Sequence, residues 1–164
     1  MTSVAASVRD RKARPLSEND VERVIAIDRG HSGQSRRRFF EKRFAAAQAH
    51  PDDYIHIGLM WGGAMRGFAS ARILRGEFGH EQSVAVLDAI GTEAQTQDHG
   101  IGAALMTELR EAMRARGVRL LHSQALWSRH DLLHFLDASG FKLAPRFALE
   151  RSVSEPLDEE SEEI

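Results

Sequence analysis

The stretch Ile90–Arg116, IGTEAQTQDHGIGAALMTELREAMRAR, decides how the rest of the chain is read. It has the form of a strand end, a polar connector, a Gly-x-Gly turn and a long amphipathic helix. Ile101, Leu105, Leu109, Ala112 and Met113 recur at spacings of three and four, with Glu108, Arg110, Glu111 and Arg114 on the other face. Gly117 ends the helix. Gly100 and Gly102 carry no Cβ, so the backbone there can bring its N–H groups close to a ligand. The helix behind them adds unpaired N–H groups and the positive end of its dipole. Such a turn is built for phosphate.

Three phosphate-binding patterns can be tested against it. A P-loop needs Gly-Lys-Ser/Thr, and Gly102 is followed by Ala103 and Ala104. A dinucleotide fingerprint needs Gly or Ala where Leu105 stands, and the ribose-binding acid about 20 residues on is not evident. The third pattern, Gln/Arg-x-x-Gly-x-Gly/Ala, fits as Gln97-Asp98-His99-Gly100-Ile101-Gly102. In it the chain resembles the GNAT superfamily of N-acyltransferases, whose members bind the pyrophosphate of acyl-CoA with this loop. A second point of resemblance is Phe135-Leu136-Asp137-Ala138-Ser139-Gly140-Phe141, close to the family's aromatic-Tyr-x-x-x-Gly-Phe. Leu136 departs from it, standing where a tyrosine often serves as general acid.

Outward from the central helix the elements follow from periodicity. Arg14, Pro15 and Leu16 form a short first strand, after an unpatterned basic arm over residues 1–13. Ser17 opens a helix through Val21, Val24, Ile25 and Ile27, broken by Gly30 to Gly33. A second helix spans about Ser35–Gln48 and buries Phe39, Phe40 and Phe44. Tyr54–Trp61, the Gly62-Gly63 dipeptide and Ala64–Leu74 read as a hairpin, and Ser83–Gly91 as a buried strand. After the central helix come a strand over Val118–Leu126, a helix over Ser128–Ala138, and a last strand or pair of strands over Phe141–Val153. The order is β-α-α-β-β-β-α-β-α-β. The class is α/β, a GNAT-like mixed sheet of six to seven strands flanked by about four helices, in one domain over residues 14–153 with an acidic tail over 154–164.

The resemblance implies the chemistry. Acetyl-CoA is the co-substrate, and its acetyl group passes directly to the primary amine of a small molecule or a protein. Backbone N–H groups of Ile90, Gly91 and Thr92 would hold the pantetheine arm and the oxyanion. Gln97, Asp98, His99, Gly100, Ile101, Gly102 and Ala103 would cradle the pyrophosphate.

Asp88 is the candidate base, because it interrupts the apolar run Val86-Leu87-Asp88-Ala89-Ile90, where an unpaired carboxylate is costly. It can equally be an aspartate paired with a nearby arginine, or a contact for a cationic substrate. His122 and Gln124 alternate on the next strand and can reach the same cleft. Trp61 and Trp127 can line a pocket or serve packing. Arg36, Arg37 and Arg38 form a solvated helix face or meet an acidic acceptor. His130 and His134 share a helix face but have no third ligand, so no metal is expected. The only tyrosine, Tyr54, lies in another strand.

Composition bounds the rest. The 164 residues contain no cysteine, which excludes disulfides, thiolate metal sites and a cysteine nucleophile. No apolar run is long enough to span a bilayer, so a cytoplasmic protein without membrane contact is expected. The net charge of −2 combines −6 in the last ten residues with +4 on the remainder. The basic residues lack aromatic interleaving, so nucleic acid is not the expected partner. A monomer or homodimer is expected. Two function classes stay open: an acetyl-CoA-dependent N-acetyltransferase, and a non-catalytic acyl-CoA-binding regulatory module.

Overall fold

Gly62 and Gly63 both adopt positive φ and close the hairpin between β2 (Tyr54–Trp61) and β3 (Ala64–Arg75). Around this hairpin the computed structural model describes residues 10–79 and 81–154. Most of the basic arm, up to residue 9, and the acidic tail from residue 155 lie outside the described residues. β1 (Lys12–Pro15) begins two residues ahead of the expected first strand and pairs with β2. β4 (Ser83–Thr92) pairs with β3 and β5 (Leu121–Ser123) with β4, giving the order β1-β2-β3-β4-β5. Only the β4–β5 pair is parallel, which makes the sheet mixed.

The expectation of six to seven strands is corrected to five among the described residues. The strand expected over Val118–Leu126 shortens to three residues, and no strand forms over Phe141–Val153. Alternation in that last segment encodes a two-faced strand, but a strand also needs a neighbour to take its backbone hydrogen bonds. The four helices are α1 (Val21–Ser32), α2 (Arg37–Ala49), α3 (Ile101–Ala115) and α4 (His130–Ala138). α1 runs through Gly30 and stops at Gly33, whose left-handed backbone caps it. No helix among the described residues is long and apolar enough to cross a membrane.

Two cores lie on the two faces of the sheet. Ile55, Ile57 and Leu59 of β2, with Ala69, Ala71 and Ile73 of β3, pack against Ile101, Leu105, Leu109 and Met113 of α3. Phe68 and Met65 face the other way, against Val24 and Ile27 of α1 and Phe40 and Phe44 of α2. α3 sits close to the sheet because Gly67 has no side chain. A Cβ there would lie 2.7 Å from Ile101 Cγ2 and 3.0 Å from Leu105 Cδ1. Gly67→Ala is therefore expected to destabilise the protein by about 1–3 kcal/mol, the usual cost of overpacking. A urea midpoint unchanged from the parent would show that α3 can shift without loss.

Candidate functional site

β4 carries the site because it is irregular in two ways. Ser70 pairs with Ala89 and Ala71 with Leu87, so Asp88 is one residue too many on its strand. The extra residue reverses the alternation: Ala85 and Leu87 belong to the α3-side core, while Ala89 belongs to the core under α1 and α2. Beyond this bulge β4 also loses its outer neighbour. β5 pairs with it only through Ala85–Leu121, Val86–His122 and Leu87–Ser123, so the strand edge from Asp88 to Thr92 opens. An open parallel edge is a place for extended chain, such as an amide-bearing pantetheine arm, to add its hydrogen bonds.

The open edge leads into the Gly-x-Gly turn. Glu93 fixes the junction: its carboxylate accepts from Arg23 Nη2 at 2.6 Å and Arg66 Nη1 at 2.5 Å, and its N–H donates to Arg66 O at 2.7 Å. Arg23 first and then Arg66 hold its carboxyl below the ordinary range. A 3-10 helix (Ala94–His99) then reaches Gly100, left-handed at φ 69°. The first bond of α3 runs from Ala104 N–H to Gly100 O at 3.1 Å. The N–H groups of Ile101, Gly102 and Ala103 thus precede the helical ladder, and the first turn carries no acidic side chain. Arg11 adds a cation beside this turn: its Nη1 lies 3.8 Å from where a Gly100 Cβ would be, and its guanidinium covers Trp61 at 5.1 Å from the ring centroid. Trp61 in turn meets His99 at 5.1 Å between ring centroids.

Gly102 has a reason that its motif does not reveal. A Cβ there would lie 2.8 Å from Phe135 Cε2. The missing side chain makes room for the α4 aromatic that shares the second motif, so the two motifs meet in space.

On the other side of the opened edge lies a cleft of about 240 Å³, lined by Asp28, His31 and Arg36 from the first two helices and their junction, by Leu87–Ile90 of β4, and by Ser123–Leu126 after β5. Asp88 is at its base with a side chain 7% exposed. Arg72 Nε donates to Oδ1 at 3.0 Å and Oδ2 at 3.1 Å. Arg43 Nε forms a further ion pair with Oδ2 at 3.1 Å, without hydrogen-bond alignment. The two hydrogen-bond contacts from Arg72 leave acceptor positions of the carboxylate for a substrate. Asp28, also buried, accepts from Arg36 Nε at 2.9 Å, with a second contact from Arg36 Nη2.

Asp28 and His31 are site residues that sequence reasoning missed. A signal existed: Asp28 continues the Val21, Val24, Ile25 stripe at helical spacing, where a carboxylate has to be paired. His31 stands one turn later, and its Nε2 lies against both backbone groups of Thr92, 3.3 Å from the N–H. It ties α1 to the end of the open strand.

The remaining sequence candidates separate. Gln124 lines the cleft, whereas His122 is not among its lining residues. Trp127 is 92% exposed, and Trp61, at the end of β2, packs beside His99 of the Gly-x-Gly turn. Of the arginine triplet, Arg36 lines the cleft and Arg37 turns outward to Glu22 and Glu41. Tyr54 lines a separate groove with Pro51 and Arg116. Leu136 is buried in the α3-side core.

Behind Asp88, buried His56 stacks on Phe44 at 4.5 Å and shares a 2.9 Å hydrogen bond with Ser70 through Nδ1. Burial pushes its pKa down from the ordinary value. An unfolded chain therefore takes up this proton first, near pH 6.5, and stability falls as pH drops through that value toward the folded pKa. His56→Gln is expected to flatten the melting temperature between pH 7.5 and pH 5.5. An equally steep fall in the variant would assign the pH dependence to other groups.

Comparison with known proteins agrees with this fold. No curated protein matches the chain. A transcriptional regulator from Bacillus halodurans C-125 shares the fold with a TM-score of 0.72 at 19% identity, over 87% of this chain and 99% of that one. The aminoglycoside 6'-N-acetyltransferase AAC(6')-Ih from Acinetobacter baumannii gives 0.72 at 13% identity, over 87% and 97%. AAC(6')-Iy in complex with a bisubstrate analogue, CoA-S-monomethyl-acetylneamine, gives 0.68 at 18% identity, over 87% and 97%. The acetyltransferase (GNAT) family model matches residues 21–141, from the start of α1 to just past α4, and the chain belongs to that family.

Proposed function

We propose that the protein is an N-acetyltransferase that moves the acetyl group of acetyl-CoA directly to a primary amine. The observation that carries this reading is the conjunction of an open β4 edge, a free helix N-terminus at its end and a polar cleft at its start. Pantetheine amides pair with the edge at Ile90 and Gly91, His31 already holding the backbone of Thr92, and the pyrophosphate takes the N–H groups of the turn from Asp98 to Ala103, with Gln97 at its head. The amine approaches from the cleft and attacks the thioester carbonyl after losing its proton. Backbone N–H groups of the open edge stabilise the oxyanion, and CoA departs as a thiolate. Asp88 takes the proton or orients the amine through a remaining acceptor position. The thiolate takes its proton from solvent, because Leu136 lies in the core and Tyr54 lines another groove.

Charge narrows the acceptor. The two carboxylates of the cleft, Asp28 and Asp88, are each matched by arginine, and Arg129 at the rim pairs with exposed Asp131. Such a cleft has no surplus negative charge for a polycation. An amine on a neutral or acidic molecule fits it better than an aminoglycoside does.

The test is CoA release from acetyl-CoA with a panel of amino acids, small amines, peptides and aminoglycosides, together with thermal stability. At 100 times its dissociation constant, acetyl-CoA is expected to stabilise the native state by about 2.7 kcal/mol. Leu136 favours a second reading, an acyl-CoA-binding regulatory module without turnover. Stabilisation by acetyl-CoA with no release for any amine would select that module.

A further inference from the structure

We propose that the acceptor is a small amino carboxylic acid, and that Arg36 holds its carboxylate while Asp88 receives its amine. The first observation is how Arg36 is held. It stands at the head of α2, where its carbonyl accepts from the N–H groups of Phe39 at 3.0 Å and Phe40 at 3.2 Å. Its guanidinium carbon lies 5.2 Å from the Phe39 ring centroid and 5.3 Å from that of Phe40. Nε and Nη2 both donate to buried Asp28, so the side edge of the guanidinium is taken. A guanidinium has five N–H donors, and two are used here. The end edge, one hydrogen each from Nη1 and Nη2, has no hydrogen-bond partner among the described residues. That edge is the fork that matches a carboxylate. Arg36 lines the cleft with its side chain 40% exposed, so the fork is rigid yet reachable.

The second observation is charge. Asp28 and Asp88 together meet three guanidiniums, those of Arg36, Arg43 and Arg72. The group therefore keeps one unmatched positive charge, while Arg129 and Asp131 at the rim cancel. An amino acid whose amine has lost its proton for attack carries one negative charge, on its carboxylate. The bond to Asp28 first, and the field of Asp88 at longer range, raise the pKa of Arg36, so the two ends of the site act on one another. Arg129 is the weaker claimant for the carboxylate, since it and its partner are both exposed and no ring is recorded against it.

The third is size. The cleft of about 240 Å³ falls below the roughly 300–1,000 Å³ of sites that enclose drug-sized ligands, which suits a small acceptor. The proposal rests on the acetyl-transfer reading for the position of the amine, whereas the carboxylate site can be read by binding alone.

CoA release from acetyl-CoA is measured with the L-amino acids, β-alanine and 4-aminobutyrate, each beside its carboxamide. The amide keeps the amine and the shape but not the charge. At least one acid is expected to exceed its amide in kcat/KM by about 10–100-fold, the weight of hydrogen bonds between charged groups. Arg36→Lys keeps a cation beside Asp28 but loses the fork, and is expected to remove most of that preference, chiefly by raising KM for the acid. Asp28→Asn with Arg36→Gln removes both charges together, leaves no buried carboxylate unpaired, and is expected to show no preference. The melting temperature of the CoA complex is read alongside, and the preferred acid, not its amide, is expected to raise it. Amides or simple amines that react as well as the acids overturn the proposal and leave acetyl transfer standing. A preference kept in both variants overturns it too, since the carboxylate must then sit elsewhere. If no amine releases CoA, an acid that stabilises the parent's CoA complex but not that of Arg36→Lys upholds the carboxylate site against a failed transfer reading. No stabilisation and no release with any acid overturns the proposal.

Discussion

An Asp88→Asn variant is expected to turn over acetyl-CoA and a competent amine about 10²–10⁴-fold more slowly than the parent, the range contributed by a general base. The substitution keeps the shape of the side chain but removes its charge. Asparagine cannot satisfy Arg43 and Arg72 as a carboxylate does, so stability falls too. Breaking a fully buried pair costs about 3–5 kcal/mol. Here Arg43 and Arg72 are 24% and 34% exposed, which reduces the expectation to about 1–3 kcal/mol. The two losses are separable. Measured well below the melting temperature with saturating acetyl-CoA, kcat reports chemistry while the stabilisation by acetyl-CoA reports the intact cofactor side. Parental kcat in a destabilised variant would make Asp88 an anchor for the two arginines and nothing more.

The second large effect concerns the phosphate turn. Gly102 is a poor probe of it, because any side chain there strikes Phe135. Ala103 is exposed in the first turn of α3, which has no acid of its own. Ala103→Glu puts a carboxylate at the positive end of the helix, worth about 0.3–1 kcal/mol to the free protein. The same charge competes with a pyrophosphate for the turn. The variant is therefore expected to melt no lower than the parent alone, yet to bind acetyl-CoA at least about 100-fold more weakly, forfeiting about 2.3 kcal/mol or more of the about 2.7 kcal/mol gained at a concentration 100 times the parent's dissociation constant. Retention of the full ligand-induced shift would falsify the assignment of the turn to pyrophosphate.

The legible parts of the sequence were those whose causes are local. α3 and its turn could be read because apolar spacing, a glycine pair and a terminating Gly117 act within one stretch of chain. The β2–β3 hairpin could be read from Gly62-Gly63. The segment after α4 carries strand-forming residues, but pairing depends on what stands beside it, and sequence pattern is silent on neighbours. Asp88 was singled out as a carboxylate in an apolar strand, yet its partners Arg43 and Arg72 lie 45 and 16 positions away, and the bulge that holds it is a property of the β3–β4 register. Asp28 stands on a periodic stripe, but its role depends on the α1–α2 junction that brings Arg36 against it, which local spacing does not encode.

The placement of two cores on opposite faces of one sheet bears on how such a protein can change. Substitutions among Val24, Phe40 and Phe44 under the cleft share no partner with Leu105 or Leu109 behind the phosphate turn. Energies of distant, unconnected sites add. A lineage can therefore remodel the face under α1 and α2 by successive mutations while the face under α3 keeps its fit, and each face drifts on its own account. Phe68 marks the exception. A Cβ at Gly91 would strike its ring at 2.9 Å, so the strand edge and the acceptor-side core are obliged to vary together at that one point.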